Sequence, residues 1–274
     1  DAQWNDDFHH ALNAVLNERD RAGYYADFGT VAQLAKALRK MFVNDGCYSR
    51  YRRRSHGRPV DGLSAHHFVV FAQNHDQVGN RALGDRLEAA AGFERAKVAA
   101  GIVMTAPAIP MIFQGEEFAA SAPFLYFADH EEPELAKAVS EGRRREFVAF
   151  GWAPEAISDP GSAETFERSK LCWNEVDEGR HREMLEWYRQ LVRLRRCSTA
   201  LNDGDPGHIH VRFDEAERWL IVDRGAVKMM VNLGESERAF EAHEESGFRL
   251  VLASHSGVST GSGKVLLPPN TFAA

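Results

Sequence analysis

The chain has 274 residues, enough for one large domain or two smaller ones, and its 44% hydrophobic content argues against intrinsic disorder. Asp and Glu number 40 against 33 Lys and Arg, and the resulting formal charge of −7 argues against a protein that binds nucleic acid. No apolar stretch is long enough to predict a membrane span.

The cysteine content indicates the compartment of the protein, and the first residues indicate whether the chain is complete. The three cysteines, Cys47, Cys172 and Cys197, are widely spaced and match no zinc or CxxC pattern, so we expect reduced thiols in a cytoplasmic protein without metal or cofactor. The chain opens at Asp1 with neither an initiator methionine nor a signal peptide, and we expect a fragment of a longer protein. The short basic run Arg52–Arg54 predicts a solvated or internally paired surface.

Apolar residues at helical spacing predict the first two helices. One covers residues 6–18, and the next begins at Thr30, which forms a capping-box pattern with Gln33. Residues 44–64 are polar and rich in Gly and Arg, which predicts a long loop. Long loops in compact domains are often functional.

Two short apolar runs, residues 68–72 and 109–113, predict strands that are buried on both faces, as in a parallel sheet. A helical segment at 94–105 lies between them, and this order is typical of α/β folds. Polar residues follow each run, at 73–76 and at 114–117. Barrel and open α/β enzymes place their chemistry at such strand ends.

The last part of the chain has a different pattern. After an amphipathic helix predicted at 182–196, short runs separated by Gly, Asp, Asn and Ser predict a small all-β sandwich, residues 200–274. The predicted strands are 208–213, 219–223, 228–233, 248–253 and 264–267. The α/β part, residues 1–199, has too few strands to close a barrel, which takes about 250 residues. Either further strands lie upstream or the fold is a smaller one.

Two groups of polar residues at predicted strand ends are candidates for chemistry. Asn74, His75 and Asp76 could bind sugar hydroxyls and stabilise a cationic transition state, or they could simply form a turn. Glu116 and Glu117 could supply an acid or orient a substrate, or they could start a helix. The residues alone leave both alternatives open.

Histidines and aromatic residues offer further candidates. The pairs His9–His10 and His66–His67, with His75, suggest a metal, but their spacings match no zinc motif, and hydrogen bonds to sugar hydroxyls or to neighbouring side chains fit better. Asp6 and Asp7 could be helix caps only. Several aromatic residues could stack on sugar faces, with core packing as the alternative for each. These are Trp4, Phe8, Tyr24, Tyr25 and Phe28.

The stretch Phe71–Arg81 resembles the last conserved region of the α-amylase clan, which ends strand seven of a barrel. Within it, Gln77–Asn80 narrows the resemblance to the malto-oligosyltrehalose trehalohydrolase family and its nearest relatives, the branching enzymes. Further stretches extend the resemblance to that family over nearly the whole chain. They are residues 3–10, 24–29, 55–59, 123–130 and 141–147.

The resemblance implies a retaining glycoside hydrolase that releases trehalose from malto-oligosyltrehalose by cutting the adjacent α-1,4-glucosidic bond. Asp76 would stabilise the transition state, and Glu116, at the end of strand eight, would contact substrate together with the residues of two motifs. Those residues are Asp6, Asp7, Phe8, His9, His10, His75, Gln77, Val78, Gly79 and Asn80. The partner would be an α-glucan oligosaccharide, with no nucleic acid, membrane, metal or cofactor.

The family's nucleophile and general acid end strands four and five, upstream of strand six, where the resemblance places Asp1. The chain is therefore expected to hold the carboxyl-terminal part of a (β/α)₈ barrel, about strands six to eight, followed by the sandwich domain, and to be inactive alone. A branching enzyme and a non-catalytic α-glucan-binding protein remain alternatives, and a metal-dependent hydrolase is a more distant one.

Overall fold

The computed structural model describes residues 1–18, 21, 23–149, 152–153, 156–241 and 248–274. These residues form two compact units. The first unit comprises residues 1–72, 91–111 and 186–274, and the second comprises residues 73–90 and 112–185. The predicted domain boundary near residue 200 stays a prediction. Within the described ranges, none of the helices combines the length and the apolar character that crossing a membrane requires.

Helices and short strands are mixed before residue 200, and the strands after it form antiparallel sheets. The helices are α1 Asp6–Leu16, α2 Val31–Lys40, α3 His75–Gly79, α4 Leu87–Ala91, α5 Phe93–Thr105, α6 Pro133–Ala149, α7 Ala163–Arg168 and α8 Gly179–Cys197. The strands are β1 Gln3–Trp4, β2 Asp45–Ser49, β3 Arg54–Gly57, β4 Phe68–Val70, β5 Ile109–Pro110, β6 His210–Asp214, β7 Trp219–Arg224, β8 Val227–Asn232, β9 Arg238–Glu241, β10 Ser259–Gly261, β11 Lys264–Leu267 and β12 Thr271–Ala273.

A three-stranded parallel sheet in the order β1-β4-β5 lies in the first unit. Val69 of β4 pairs with Trp4 on one side and with Ile109 on the other, both in parallel register. This confirms the predicted pair of parallel strands, although β5 has only two residues where five were predicted. The sequence did not indicate β1, because two residues are too short to show a hydrophobic period.

The first two helices follow from their caps and their apolar faces. Asn5, which is fully buried, caps α1 by accepting a hydrogen bond from the backbone N–H of Phe8 at 3.0 Å. Thr30 and Gln33 form the predicted capping box at the start of α2, with both hydrogen bonds at 3.1 Å. Leu12 and Leu34 are fully buried, so the two helices turn their apolar faces inward.

The prediction of a loop across residues 44–64 is wrong in its central part. Strands β2 and β3 pair there as an antiparallel hairpin with a turn at residues 50–53, and Tyr48 lies opposite Ser55. Most side chains of both strands are exposed, so no apolar alternation marks them in the sequence. Gly57 is required, because a Cβ there would lie 1.7 Å from the backbone oxygen of Asn44.

Residues after 200 form two antiparallel sheets, in the orders β12-β8-β7-β6 and β10-β11-β9. Side chains from both sheets share one core, as a sandwich requires. The buried core includes Ile221, Met230, Phe240, Val265 and Leu267. Four of the five predicted strands are confirmed within two residues at each end.

The fifth predicted strand, residues 248–253, is wrong. Only Ala253 makes an isolated bridge, to Ala273, while Val251 and Leu252 donate backbone hydrogen bonds to the oxygen of Ala274. The apolar character of this stretch reflects packing against the sandwich core, since Phe248 and Leu250 pack there. Strands β9, β10 and β12 were not predicted, because β10 and β12 have three residues each and β9 has only Phe240 buried, so none of them shows an apolar period.

Arg195, on α8, holds the end of α5 and the segment that leads to β5. Its guanidinium donates hydrogen bonds of 2.8–2.9 Å to the backbone oxygens of Met104, Ala106 and Ala108. Carbonyl groups at the end of a helix have no hydrogen-bond donors within the helix, and the guanidinium of Arg195 provides those donors. Burial lowers the pKa of Arg195 to about 10, which leaves it charged at neutral pH.

Candidate functional site

Helix α3 holds Asp76 in the second unit. The side-chain oxygen of Asn74 accepts hydrogen bonds from the backbone N–H groups of Asp76 at 2.7 Å and Gln77 at 3.4 Å. Gln77 completes a capping box by accepting from the N–H of Asn74 at 3.0 Å. The cap is buried, whereas the Asp76 side chain is 63% exposed and its Oδ1 lies 3.4 Å from Nε2 of His75. A rigid cap therefore presents an exposed carboxylate beside an imidazole.

The far end of α3 is held by Arg143, from α6. Its guanidinium donates to the backbone oxygen of Gly79 at 2.7 Å and to Oδ1 of Asn80 at 3.2 Å. The same guanidinium lies 4.4 Å from the ring centroid of Tyr126 and 5.0 Å from that of Phe147. Burial lowers the pKa of Arg143. Two stretches that carried the family resemblance, residues 123–130 and 141–147, thus support the Asp76 motif.

Glu116 lies just after a left-handed turn at Gly115, where a Cβ would come within 2.7 Å of Leu171. The side chain of Glu116 is buried, and its charge is the largest influence that opposes the burial-driven lowering of the pKa of Arg86. Arg86 also donates to the backbone oxygens of Gln114 and Ala122, at 2.7 and 2.8 Å. Glu116 therefore belongs to a buried charge cluster within the second unit.

Asp7, in the first turn of α1, binds the chain that follows α2. Its Oδ2 accepts from the backbone N–H groups of Val43 at 2.9 Å and Asn44 at 2.6 Å, and its Oδ1 accepts from Nδ2 of Asn44 at 2.9 Å. These three hydrogen bonds occupy the carboxylate. Asp6, on the adjacent position of α1, is exposed.

Phe8 and His9 are buried in the first unit, and neither offers a side chain to solvent. Nδ1 of His9 lies 2.7 Å from the backbone oxygen of Ala72, and Nε2 lies 2.8 Å from the hydroxyl of Tyr25. A carbonyl oxygen only accepts, so Nδ1 carries the proton and donates. His9 thereby ties α1 to the end of β4.

His10 is half-buried between two aromatic rings of the first unit. The ring centroids of Tyr25 and Phe28 lie 5.0 and 5.2 Å from that of His10. Burial lowers the pKa of His10, the carboxylates of Asp6 and Asp7 oppose that shift, and Arg52 adds to it. A neutral imidazole is therefore favoured near pH 7, which can both donate and accept a hydrogen bond.

The predicted site residues separate into exposed and buried groups. At least partly exposed are Asp6, Asp7, His10, His75, Asp76, Gln77 and Asn80. Buried are Phe8, His9, Val78, Gly79 and Glu116. Arg143 and Asp27, which organise neighbouring backbone, were not singled out from the sequence, although both lie in stretches that resemble the family.

Metal-ligand chemistry finds no support in these groups. In the ranges that the structure describes, no three His, Cys, Asp or Glu side chains are arranged to hold a metal ion. The exposed residues can form hydrogen bonds with neutral polar molecules. The carboxylate of Asp76 can also stabilise positive charge.

Comparison with known proteins identifies relatives across nearly the whole chain. Residues 205–273 match a family model described as a domain of unknown function, DUF3459. The chain is 43% identical over 269 residues to the malto-oligosyltrehalose trehalohydrolase of Rhizobium sp. (strain M-11), covering 97% of this chain and 44% of that protein. The enzyme of the same name from Brevibacterium helvolum is 42% identical over 269 residues, with 97% and 45% covered.

A solved structure agrees with these sequence relatives. A protein from Salmonella typhimurium assigned as an alpha amylase superposes with a TM-score of 0.84 at 32% identity, covering 99% of this chain and 46% of that chain. The chain thus spans less than half the length of the curated relatives it matches. On sequence and fold together, the chain is similar to part of the malto-oligosyltrehalose trehalohydrolases, and its fold is similar to part of an α-amylase-like protein.

Proposed function

We propose that the protein to which this chain belongs is a retaining glycoside hydrolase that releases trehalose from malto-oligosyltrehalose by cutting the adjacent α-1,4-glucosidic bond. The observation that carries the proposal is the position of Asp76. Its carboxylate is exposed at the start of a helix whose cap is fixed by Asn74 and Gln77. The 43% identity to enzymes of that name over nearly the whole chain supports the same activity.

The chemistry of glycoside cleavage explains what Asp76 would contribute. The transition state resembles an oxocarbenium ion, and a fixed carboxylate close to the developing positive charge lowers its energy. His75, with Nε2 at 3.4 Å from Asp76, is placed to donate a hydrogen bond to a hydroxyl of the same sugar. In this role Asp76 neither forms nor breaks a bond.

Retention requires two more carboxyl groups, a nucleophile and a general acid about 5 Å apart. We place both in a part of the parent protein outside these 274 residues, as the family resemblance implies. This chain alone is then expected to bind an α-glucan without hydrolysing it.

The fold supports a matching proposal, that β1, β4 and β5 are strands six to eight of a (β/α)₈ barrel. The three strands are parallel neighbours in that order, and a helical segment follows each of the first two. A polar segment follows the carboxyl end of every one: Asn5–Asp7, Gln73–Asp76 and Gln114–Glu116. Barrel enzymes draw their catalytic residues from such positions.

Burial divides the predicted substrate contacts into two roles. We infer that Asp6 and His10 in the first unit, and His75 and Asn80 in the second, hydrogen-bond glucan hydroxyls. The remaining predicted residues would position them, because they are buried or their side chains are already hydrogen-bonded to backbone. These are Asp7, Phe8, His9, Gln77, Val78, Gly79 and Glu116. The three cysteines, all unpaired, support a cytoplasmic location.

The decisive experiment measures hydrolysis of malto-oligosyltrehalose by the full-length protein. Asp76→Asn should lower kcat by about 10²- to 10³-fold, the usual effect of losing one electrostatic stabiliser. Glu132→Gln, at an exposed acidic residue of the same unit, should leave kcat unchanged. Unaltered turnover by Asp76→Asn would refute the assigned role.

Product analysis separates the alternatives. The proposal expects free trehalose from malto-oligosyltrehalose, whereas a branching enzyme would form new α-1,6 branches in amylose. Binding without turnover by the full-length protein would instead indicate a non-catalytic α-glucan-binding protein. Turnover by the isolated 274-residue chain would contradict the placement of the nucleophile outside it.

A further inference from the structure

Arg143 binds the side chain of Asn80 in one orientation only. Its Nη1 donates to Oδ1 of Asn80 at 3.2 Å, while its Nη2 donates to the backbone oxygen of Gly79 at 2.7 Å. A guanidinium carries N–H donors and no acceptor, so the atom of the Asn80 amide that faces it must be the oxygen. The NH₂ group of the same amide is therefore turned away from Arg143.

Two aromatic rings fix the guanidinium that makes these hydrogen bonds. Its central carbon lies 4.4 Å from the ring centroid of Tyr126 and 5.0 Å from that of Phe147. Contact with two rings restricts the rotation of a planar cation. A lysine could not replace it, because a single ammonium group lacks the planar fork that holds two acceptors in a set geometry.

Asn80 lies beside Asp76 on the same helical turn. The backbone N–H of Asn80 donates to the backbone oxygen of Asp76 at 3.0 Å. Side chains four positions apart on such a turn share one face, with Cβ atoms about 5–6 Å apart. Both side chains are exposed, and within the described ranges the NH₂ group of Asn80 has no hydrogen-bond partner. An unused donor thus lies next to the carboxylate that we assign to the transition state.

The stability of α3 explains only one of the two hydrogen bonds from Arg143. The hydrogen bond to Gly79 supplies a donor to a carbonyl at the end of the helix. Asn80 is exposed, and water would serve its amide oxygen nearly as well, so the second hydrogen bond adds little to stability. Orientation of the amide is what the second hydrogen bond provides.

We propose that Arg143 is a positioning residue, which fixes the Asn80 amide so that Nδ2 donates to a hydroxyl oxygen of the sugar unit beside Asp76. An ionised carboxylate only accepts hydrogen bonds, so Asp76 cannot serve the acceptor side of a sugar hydroxyl. Asn80, held by Arg143, supplies the missing donor. This role rests on the proposed function and adds to it a residue that the predicted contacts did not include.

Steady-state kinetics of the full-length protein with malto-oligosyltrehalose test the positioning role. Arg143→Ala frees the amide to rotate, so KM should rise about three- to tenfold, whereas kcat should fall by no more than about threefold. Asn80→Ala should raise KM over the same range. The double variant should be no worse than either single variant, because Arg143 acts through Asn80.

Arg145→Ala is the matched control. Arg145 lies on the same helix, its side chain is 74% exposed, and it pairs with Glu141 of that helix at 3.7 Å. Both kinetic constants should therefore stay unchanged in this variant.

Asn80→Asp separates positioning from folding. It keeps an oxygen that accepts from Arg143 but replaces the NH₂ donor by a second acceptor. Its KM should rise as much as that of Asn80→Ala, while its midpoint of urea unfolding should stay at or above that of the unaltered protein. This variant decides the question even if Arg143→Ala fails to fold.

Three outcomes would overturn the positioning role. They are KM increases that add in the double variant, an unaltered KM for Asn80→Asp, and an unaltered KM for Arg143→Ala with a lower midpoint of urea unfolding, which would assign Arg143 to the fold alone. The proposed function fails differently, because the unaltered full-length protein would then release no trehalose.

Discussion

The side-chain oxygen of Asn74 accepts a hydrogen bond from the backbone N–H of Asp76 at 2.7 Å. Asn74 is almost fully buried, whereas the carboxylate of Asp76 is exposed. The backbone from which the Asp76 side chain projects is therefore held by a buried cap. Under the proposed function, a substitution at Asn74 should lower turnover by displacing Asp76, because Asn74 itself takes no part in the reaction.

Asn74→Ala removes this cap and should lower the free energy of unfolding by about 0.5–2 kcal/mol. In the full-length protein it should also lower kcat for malto-oligosyltrehalose, because the first turn of α3 loses the acceptor that orients Asp76. Urea denaturation and initial-rate assays measure the two effects.

Asn74→Asp is the control, because it keeps an acceptor at the cap and Asp caps helices as well as Asn does. It should recover most of the turnover lost in Asn74→Ala. Equal loss in both variants would show that the amide and not the capping oxygen is what matters.

Asp7 should act as a structural residue despite lying in a predicted substrate-binding motif. Asp7→Asn replaces one acceptor oxygen by an NH₂ group that faces donors of Val43 and Asn44, so the unfolding free energy should fall by about 1–3 kcal/mol. Asp6→Asn, at the neighbouring exposed position, should cost no more than about 1 kcal/mol, from the helix dipole.

Chemical denaturation of the two variants side by side gives the comparison. A larger loss for Asp6→Asn than for Asp7→Asn would contradict the assignment of Asp7 to the fold. The same pair also tests the division of α1 into exposed and internally bonded carboxylates.

The contrast between Asp6 and Asp7 shows what the sequence could predict. Local signals were sufficient for the capping box at Thr30, for the buried strand that ends before Asp76, and for the motif around Asp76 itself. Each of these depends on residues within about one helical turn or one strand of each other.

Partners distant in sequence could not be predicted in the same way. Asp7 binds backbone that lies 36 and 37 residues further along, and Glu116 lies close enough to Arg86 to influence it, 30 positions earlier in the chain. The sequence gives the residue type at such positions but not its partner. A carboxylate that faces solvent therefore cannot be distinguished from one that binds the protein's own backbone. The exposed β2–β3 hairpin was missed for a related reason, since apolar alternation marks only a strand with a buried face.

Two helical glycines should respond in opposite directions to alanine. Gly101, in α5, packs so closely against the ring of Phe272 that a Cβ would lie 2.6 Å from it, whereas a Cβ at Gly142, in α6, meets nothing within 4 Å. Gly101→Ala should therefore destabilise the chain by about 1–3 kcal/mol through overpacking. Gly142→Ala should stabilise it by about 0.5–1 kcal/mol through helix propensity.

Thermal and urea unfolding of both variants tests the packing of α5 against β12. If Gly101→Ala were as stable as the unaltered chain, the ring of Phe272 would have room to move and the close contact would not be a constraint. Phe272→Leu combined with Gly101→Ala should recover part of the loss, because it removes the atoms that the new methyl group meets.

His10 should make stability depend on pH in a defined direction. Burial lowers its pKa in the folded chain below the ordinary value of 6.5, so the unfolded chain takes up the proton first as the pH falls. The free energy of unfolding should therefore decline as the pH drops below about 6.5, and this contribution should level off below the folded-state pKa.

His10→Gln removes the titrating group, so the free energy of unfolding of this variant should decline less between pH 7.5 and pH 5. The other 11 histidines are common to both proteins and cancel in the difference. An NMR titration that places the pKa of His10 at or above 6.5, or an identical pH dependence for His10→Gln, would show that the imidazole is not buried between Tyr25 and Phe28 in solution.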